Sequence, residues 1–184
     1  STYNLLENLL SWVRGQLSEI NVLCVRAPLA PLLERVNGWV SATAQAKGIQ
    51  VAIVCPPQLT ALIDERMVET IVRNLCGNAI KYSPAGGQVR VNASRNEDDD
   101  TVEIAVEDRG TGLTKAQMEG LFKAQGRSVP GTGGERGSGL GLMFSQDLAR
   151  HLKGRNDVKS TEGEGATFTL VLPDELEGDL DAPE

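Results

Sequence analysis

Gly137-Ser138-Gly139-Leu140-Gly141-Leu142 sets three glycines at alternate positions and runs straight into a helical pattern of Met143, Phe144, Leu148 and Leu152. Glycine tolerates φ > 0 and lets the backbone come close to a ligand. A helix start adds unpaired N–H groups and the positive end of the peptide dipole, which together suit phosphate. The stretch therefore imposes a loop-to-helix junction with an open backbone. A plain glycine-rich turn would satisfy the same pattern.

Two further motifs stand upstream. One is Asn74-Leu75-Cys76-Gly77-Asn78-Ala79-Ile80-Lys81-Tyr82-Ser83-Pro84. On a helix, Asn74, Asn78, Lys81 and Tyr82 project together from one face, while Leu75 and Ile80 turn to the core. Two amides inside a helix are unfavourable by propensity, and a ligand gives them a reason to be there. Asn78 can offer a carbonyl oxygen to Mg²⁺, which takes oxygen ligands and keeps several waters beside nucleotide phosphates. Lys81 suits phosphate as a point charge, and Tyr82 suits a sugar or base. The other motif is Glu107-Asp108-Arg109-Gly110-Thr111-Gly112-Leu113. A carboxylate at the end of an apolar strand can accept a hydrogen bond from the exocyclic amine of adenine; guanine has a carbonyl there. Gly110 and Gly112 would let a base lie against the backbone. A polar helix face and a tight Asp-x-Gly turn are the plain alternatives.

Taken in order, Asn-x-x-x-Asn-Ala-x-Lys-Tyr, Asp-x-Gly-x-Gly and Gly-x-Gly-Leu-Gly-Leu resemble the catalytic and ATP-binding domain of bacterial sensor histidine kinases. That domain belongs to the GHKL superfamily, shared with gyrase, Hsp90 and MutL. The resemblance runs from about Ala27 to Pro173. It implies ATP and Mg²⁺ as cofactors, with Asn78 as the magnesium residue. It implies nucleotide contacts from Asn74, Asn78, Lys81, Tyr82, Asp108, Gly110, Gly112, Arg136, Gly137, Ser138, Gly139, Leu140 and Gly141. Arg127 follows Phe122 where many sensor kinases carry an arginine after a phenylalanine motif, although Gln125 replaces the usual second aromatic. Asn74 and Arg127 are the two candidates for a part in the transfer step itself.

The hydrolytic branch of the superfamily places a glutamate base four residues before the magnesium asparagine. This chain has Asn74 there, and an amide is not a general base. A kinase that transfers to histidine needs no such base, because neutral imidazole is already a nucleophile. His151 is the only histidine. It lies in Arg150-His151-Leu152-Lys153-Gly154, with no acidic residue after it and outside any separate acceptor helix, so it reads as structural. The acceptor is then expected on a histidine-bearing dimerisation domain of a homodimeric parent, with a response regulator or receiver domain downstream. Two other functions stay open: a nucleotide-binding regulatory module without turnover that acts through protein contacts, and a GHKL-type ATPase.

The organisation of the chain agrees with a single domain and flanking pieces. Residues 1–19 carry a stripe of Leu6, Leu9 or Leu10, Val13 and Leu17. This fits an amphipathic helix on the domain or the end of a dimerisation helix, and the resemblance favours the second. Residues 20–173 form the ATP-binding domain, and 174–184 an acidic disordered tail. Strands are expected at Asn21–Arg26, Ile49–Val54, Val89–Ala93, Val102–Val106, Asp157–Ser160 and Thr167–Leu172. Helices are expected from Pro28 to Lys47, from Asp64 to about Pro84, from Thr114 to Phe122 and from Ser138 to about Lys153. The fold class is an α/β two-layer sandwich of the Bergerat type: a mixed, mostly antiparallel sheet with three helices on one face. Lys123 to Arg136, rich in glycine with Val129 as sole apolar anchor, reads as a mobile lid over phosphates.

Net charge −7 argues against nucleic acid as a partner. Cys24, Cys55 and Cys76 are scattered without metal-ligand spacing and read as reduced thiols. No stretch is apolar and long enough to span a bilayer. A start at Ser1 in mid-pattern reads as an excised cytoplasmic piece, which leaves room for an inner-membrane anchor elsewhere in the parent.

Overall fold

A computed structural model of the chain describes residues 21–121, 130–135 and 140–174. The expectations for residues 1–19, Phe122, Lys123–Val129, Arg136–Gly139 and 175–184 lie outside them, including those for Arg127, Arg136, Gly137, Ser138 and Gly139. The elements in chain order are β1 (Val25–Pro28), α1 (Leu29–Ala46), β2 (Gln50–Val54), β3 (Thr60–Ile63), α2 (Glu65–Tyr82), β4 (Gln88–Asn96), β5 (Thr101–Asp108), α3 (Lys115–Gly120), α4 (Gly141–His151), β6 (Arg155–Thr161) and β7 (Gly165–Pro173).

Five strands form one sheet in the order β2-β4-β5-β7-β6. The β2–β4 pair is parallel and the other pairs are antiparallel. Alternation decides which face is covered. In β4, Val89, Val91 and Ala93 are buried while Gln88, Arg90 and Asn92 are exposed; in β5, Val102, Ile104, Val106 and Asp108 are buried. Helices α1, α2 and α4 cover that apolar face. Leu32, Leu33, Val68, Ile71, Val72, Leu75, Ile80, Ile104, Leu170 and Leu172 are essentially sealed from solvent between the layers. Burial of such side chains contributes roughly 1.5–3 kcal/mol each before entropy is counted. The expected sandwich is the observed one.

Helix α2 owes its start to Asp64, which is buried and accepts from the backbone N–H of Arg66 (3.1 Å) and Met67 (3.4 Å). Side-chain capping of this kind satisfies N–H groups that have no helical partner. A Thr114–Gln117 capping box opens α3.

Several details differ from the sequence reading. The strand expected at Asn21–Arg26 is instead Val25–Pro28, because Leu23 N–H is taken by Asp64 Oδ2 rather than by a ladder. Its partner, β3, is an addition, since Leu59-Thr60-Ala61-Leu62-Ile63 has no clear alternation; β1 and β3 form a separate antiparallel ribbon. The last helix stops at His151 rather than near Lys153: Lys153 takes φ +58 and Gly154 N–H closes back on Ala149 O. Asp174, placed by the sequence at the head of the tail, is buried and paired with Arg26 (3.2 Å) and Arg95. Arg95 also donates to Thr60 O, so this group ties the ribbon to the end of β7. Among the described residues, no helix is long and apolar enough to cross a membrane.

Candidate nucleotide site

The site is built on the C-terminal half of α2. Asn74, Asn78 and Tyr82 are four residues apart and all half-buried, as are Lys81 and Leu140. Their stripe lies beside the apolar face that carries Leu75, Ala79 and Ile80 inward. Asn74 Nδ2 donates to Ser145 Oγ of α4 at 2.8 Å, and Ser145 is itself buried. Gly141, the first residue of α4, sits so close to the Asn74 amide that a Cβ there would clash with it. The first and third motifs thus meet at Asn74 and Gly141. Asn78 stands one turn further along the same helix face. Lys81 Nζ lies 3.1 Å from Tyr82 Oη and over its ring at 4.8 Å from the centroid.

The second motif closes against the end of the same helix. Asp108, the last residue of β5, is 5 % exposed. Its Oδ1 accepts from Gly110 N–H at 2.8 Å. Burial raises its pKa above the ordinary aspartate value, opposed by the N–H groups of Gly110 and Ala166 and reinforced by the negative charge of Glu107. Gly110 abuts Tyr82 O, leaving no room for a side chain. Gly112 has φ +63 and would drive a Cβ into Thr161 O. The loop is therefore glycine at both positions for steric reasons, whatever it binds.

The turn between β6 and β7 holds this loop. Gly163 N–H donates to Thr111 O (2.8 Å), Leu113 N–H to Ser160 Oγ (2.9 Å), and Ser160 Oγ to Gly165 O (2.7 Å). Glu162-Gly163-Glu164-Gly165 is a turn by its composition, with nothing in it that points to a neighbouring loop. Its signal is the paired glycines, and Ser160 gives none.

Residues 130–135 also reach the end of α2. Thr132 donates through N–H to Lys81 O (3.2 Å) and through Oγ1 to Ser83 O (2.5 Å). Lys47, the C-cap residue of α1, directs its ammonium at Ile80 O (3.0 Å), Lys81 O (2.7 Å) and Glu135 Oε1 (2.8 Å). Neither Lys47 nor Glu135 belongs to a motif.

Among the described residues, no cluster of three or more His, Cys, Asp or Glu side chains could hold a metal. A single amide oxygen at Asn78 nonetheless fits a Mg²⁺ whose other ligands are phosphate and water. His151 Nδ1 lies 2.8 Å from Asp147 O, one turn back on α4.

Residues 63–176 match the family described as histidine kinase-, DNA gyrase B-, and HSP90-like ATPase. The sensor histidine kinase AtsR of Burkholderia thailandensis is 34% identical over 159 residues, which are 85% of this chain and 26% of AtsR. The adaptive-response sensory kinase SasA of a Synechococcus strain is 31% identical over 171 residues, 92% of this chain and 45% of SasA. The chain thus spans less than half the length of either relative. Among solved structures, full-length ShkA in complex with AMPPNP superposes with a TM-score of 0.73 at 29% identity, covering 86% of this chain and 33% of ShkA. The Acinetobacter baumannii histidine kinase AdeS reaches 0.73 at 20% identity, covering 95% of this chain and 79% of AdeS, a likeness of fold. The chain belongs to the histidine kinase-, DNA gyrase B- and HSP90-like ATPase family, as an ATP-binding catalytic domain of the sensor histidine kinase type.

Proposed function

We propose that this domain binds ATP with Mg²⁺ and presents the γ-phosphate to a histidine outside the described residues, on a dimerisation domain of its parent. Asp108 carries the reading. A buried carboxylate at a strand end, beside two glycines that admit no side chain, suits the exocyclic amine of adenine. Asn78 would hold Mg²⁺, which when bound neutralises phosphate charge. Lys81 would meet the phosphates and Tyr82 the sugar or base, with Leu140 and Gly141 at the glycine-rich helix start. Arg136, Gly137, Ser138 and Gly139 complete the proposed phosphate contacts.

Hydrolysis is the weaker reading. Asn74 stands where a base would be needed and spends its Nδ2 on Ser145; it serves here to hold α4 against α2. Transfer to histidine relies instead on positioning an in-line nucleophile. His151 reads as structural because no acidic residue follows it and it lies on α4 rather than on a separate acceptor helix; its Nδ1 lies against Asp147 O of its own helix. The parent would act as a homodimer on the cytoplasmic side and pass the phosphoryl group to a response regulator or receiver domain. Titration calorimetry with ATP, GTP and Asp108→Asn tests the adenine contact. ATP preferred over GTP, and a loss of about tenfold in ATP affinity in Asp108→Asn, are expected. Equal affinities in a folded variant remove Asp108 from the site.

A further inference from the structure

We propose that Lys47 is a positioning residue for the phosphate side of the nucleotide site: it latches residues 130–135 onto the end of α2 through Glu135. The inference rests on the nucleotide-binding reading above. An ammonium has three N–H donors, and here three acceptors surround it. Two are the carbonyls of Ile80 and Lys81 at the end of α2; the third is Glu135 Oε1. The Lys47 side chain is only 13% exposed. A cation is favourable at a helix C-terminus, but a cap alone would need no carboxylate.

Glu135 adds what a cap lacks. It accepts from Gly133 N–H (2.8 Å) through Oε2 and from Gly131 N–H (2.9 Å) through its own carbonyl, so it organises the whole short segment. Gly131 packs on the stem of Lys81: a Cβ there would stand 2.6 Å from Lys81 Cγ. Thr132 adds its bonds to Lys81 O and Ser83 O. Lys47 is itself fixed where α1 ends, by Gly86 N–H on its carbonyl (3.1 Å). One lysine from a different helix thus fixes the segment that leads toward Leu140 and Gly141, and with it the side chain of Lys81. The hydrogen bond from Lys47 holds the Glu135 carboxyl down to about 2.

ATP affinity is measured for the intact chain and for Lys47→Met, Lys47→Arg, Glu135→Ala and the Lys47→Met/Glu135→Ala pair, with circular dichroism as a check on folding. Glu135 touches no helix carbonyl, so its variant isolates the latch from the cap. Expected are losses of about tenfold in Lys47→Met and about threefold in Glu135→Ala, a pair no worse than Lys47→Met alone, and near-native affinity in Lys47→Arg. Native affinity in folded Glu135→Ala and Lys47→Met overturns the proposal. Hydrogen exchange at Gly131 and Thr132, without nucleotide, separates this idea from the nucleotide reading. Faster exchange in Lys47→Met upholds the latch even if the chain binds no ATP, in which case only the nucleotide reading falls. Unchanged exchange overturns the latch.

Discussion

The loop after Asp108 and the segment 130–135 both border the end of α2, yet they are held by different balances of backbone packing and side-chain bonding. The first is fixed mainly by close backbone packing, Gly110 against Tyr82 O, Gly112 against Thr161 O and Gly165 against Asp108 O, with Ser160 Oγ as a brace. No side chain can be added there without moving main chain. The second is fixed largely through side chains, Lys47 from the end of α1 and the segment's own Thr132 and Glu135, beside the Thr132 N–H bond to Lys81 O. Such contacts are individually weak and replaceable. The adenine side of the proposed site is therefore prebuilt, while the phosphate side is adjustable. That division suits a domain that must hold a base firmly and hand over a phosphate.

Gly165→Ala should break the prebuilt side most severely. Gly165 has φ +107 and its Cβ would enter Asp108 O. Strain and forced backbone movement should cost about 3 kcal/mol of stability, read by urea unfolding. Native stability would mean the loop is as adjustable as its neighbour.

Asp108→Asn should split stability from binding. The raised pKa means the folded state disfavours the carboxylate, so ionised Asp108 costs stability at neutral pH, and that cost disappears as pH falls through the raised value. The empty variant should be at least as stable as the native chain at neutral pH, yet bind ATP about tenfold more weakly. Native ATP affinity should fall with acid as the carboxylate protonates, whereas the Asp108→Asn variant, with no carboxyl to titrate at that position, should lack this step. A variant that loses stability and affinity together would make Asp108 a structural residue.

Asp64→Ala serves as a reference far from both loops. Losing the N-cap of α2 and the Leu23 tether should cost about 1–2 kcal/mol in unfolding, with ATP affinity unchanged once folded. Thr132→Ala should have the smallest effect. Losing the bond to Ser83 O should cost about 1 kcal/mol or less and quicken exchange locally, without global destabilisation. A large global loss would show that the second segment is as integral as the first.

The sandwich and the three motifs were legible because period and glycine placement are local signals. Val89, Val91 and Ala93 alternate; Asp64 precedes a clean helical stripe; Gly112 marks its own turn. The β1–β3 ribbon was not legible, because the apolar run Leu59–Ile63 has no period to separate strand from helix. Lys47 was invisible for a different reason. Its partners are two carbonyls and a residue far along the chain, and no sequence spacing encodes such a meeting. Ser160 escaped likewise, since a hydroxyl that braces a loop looks like any strand serine.

The central claim is that this domain donates a phosphoryl group to a histidine it does not itself provide. Incubating the chain with γ-labelled ATP and Mg²⁺, alone and with the histidine-bearing dimerisation segment of its parent, tests it directly. The expected result is no label on this chain alone and acid-labile label on the added segment. Acid-labile label on this chain itself, abolished by His151→Ala, would contradict it.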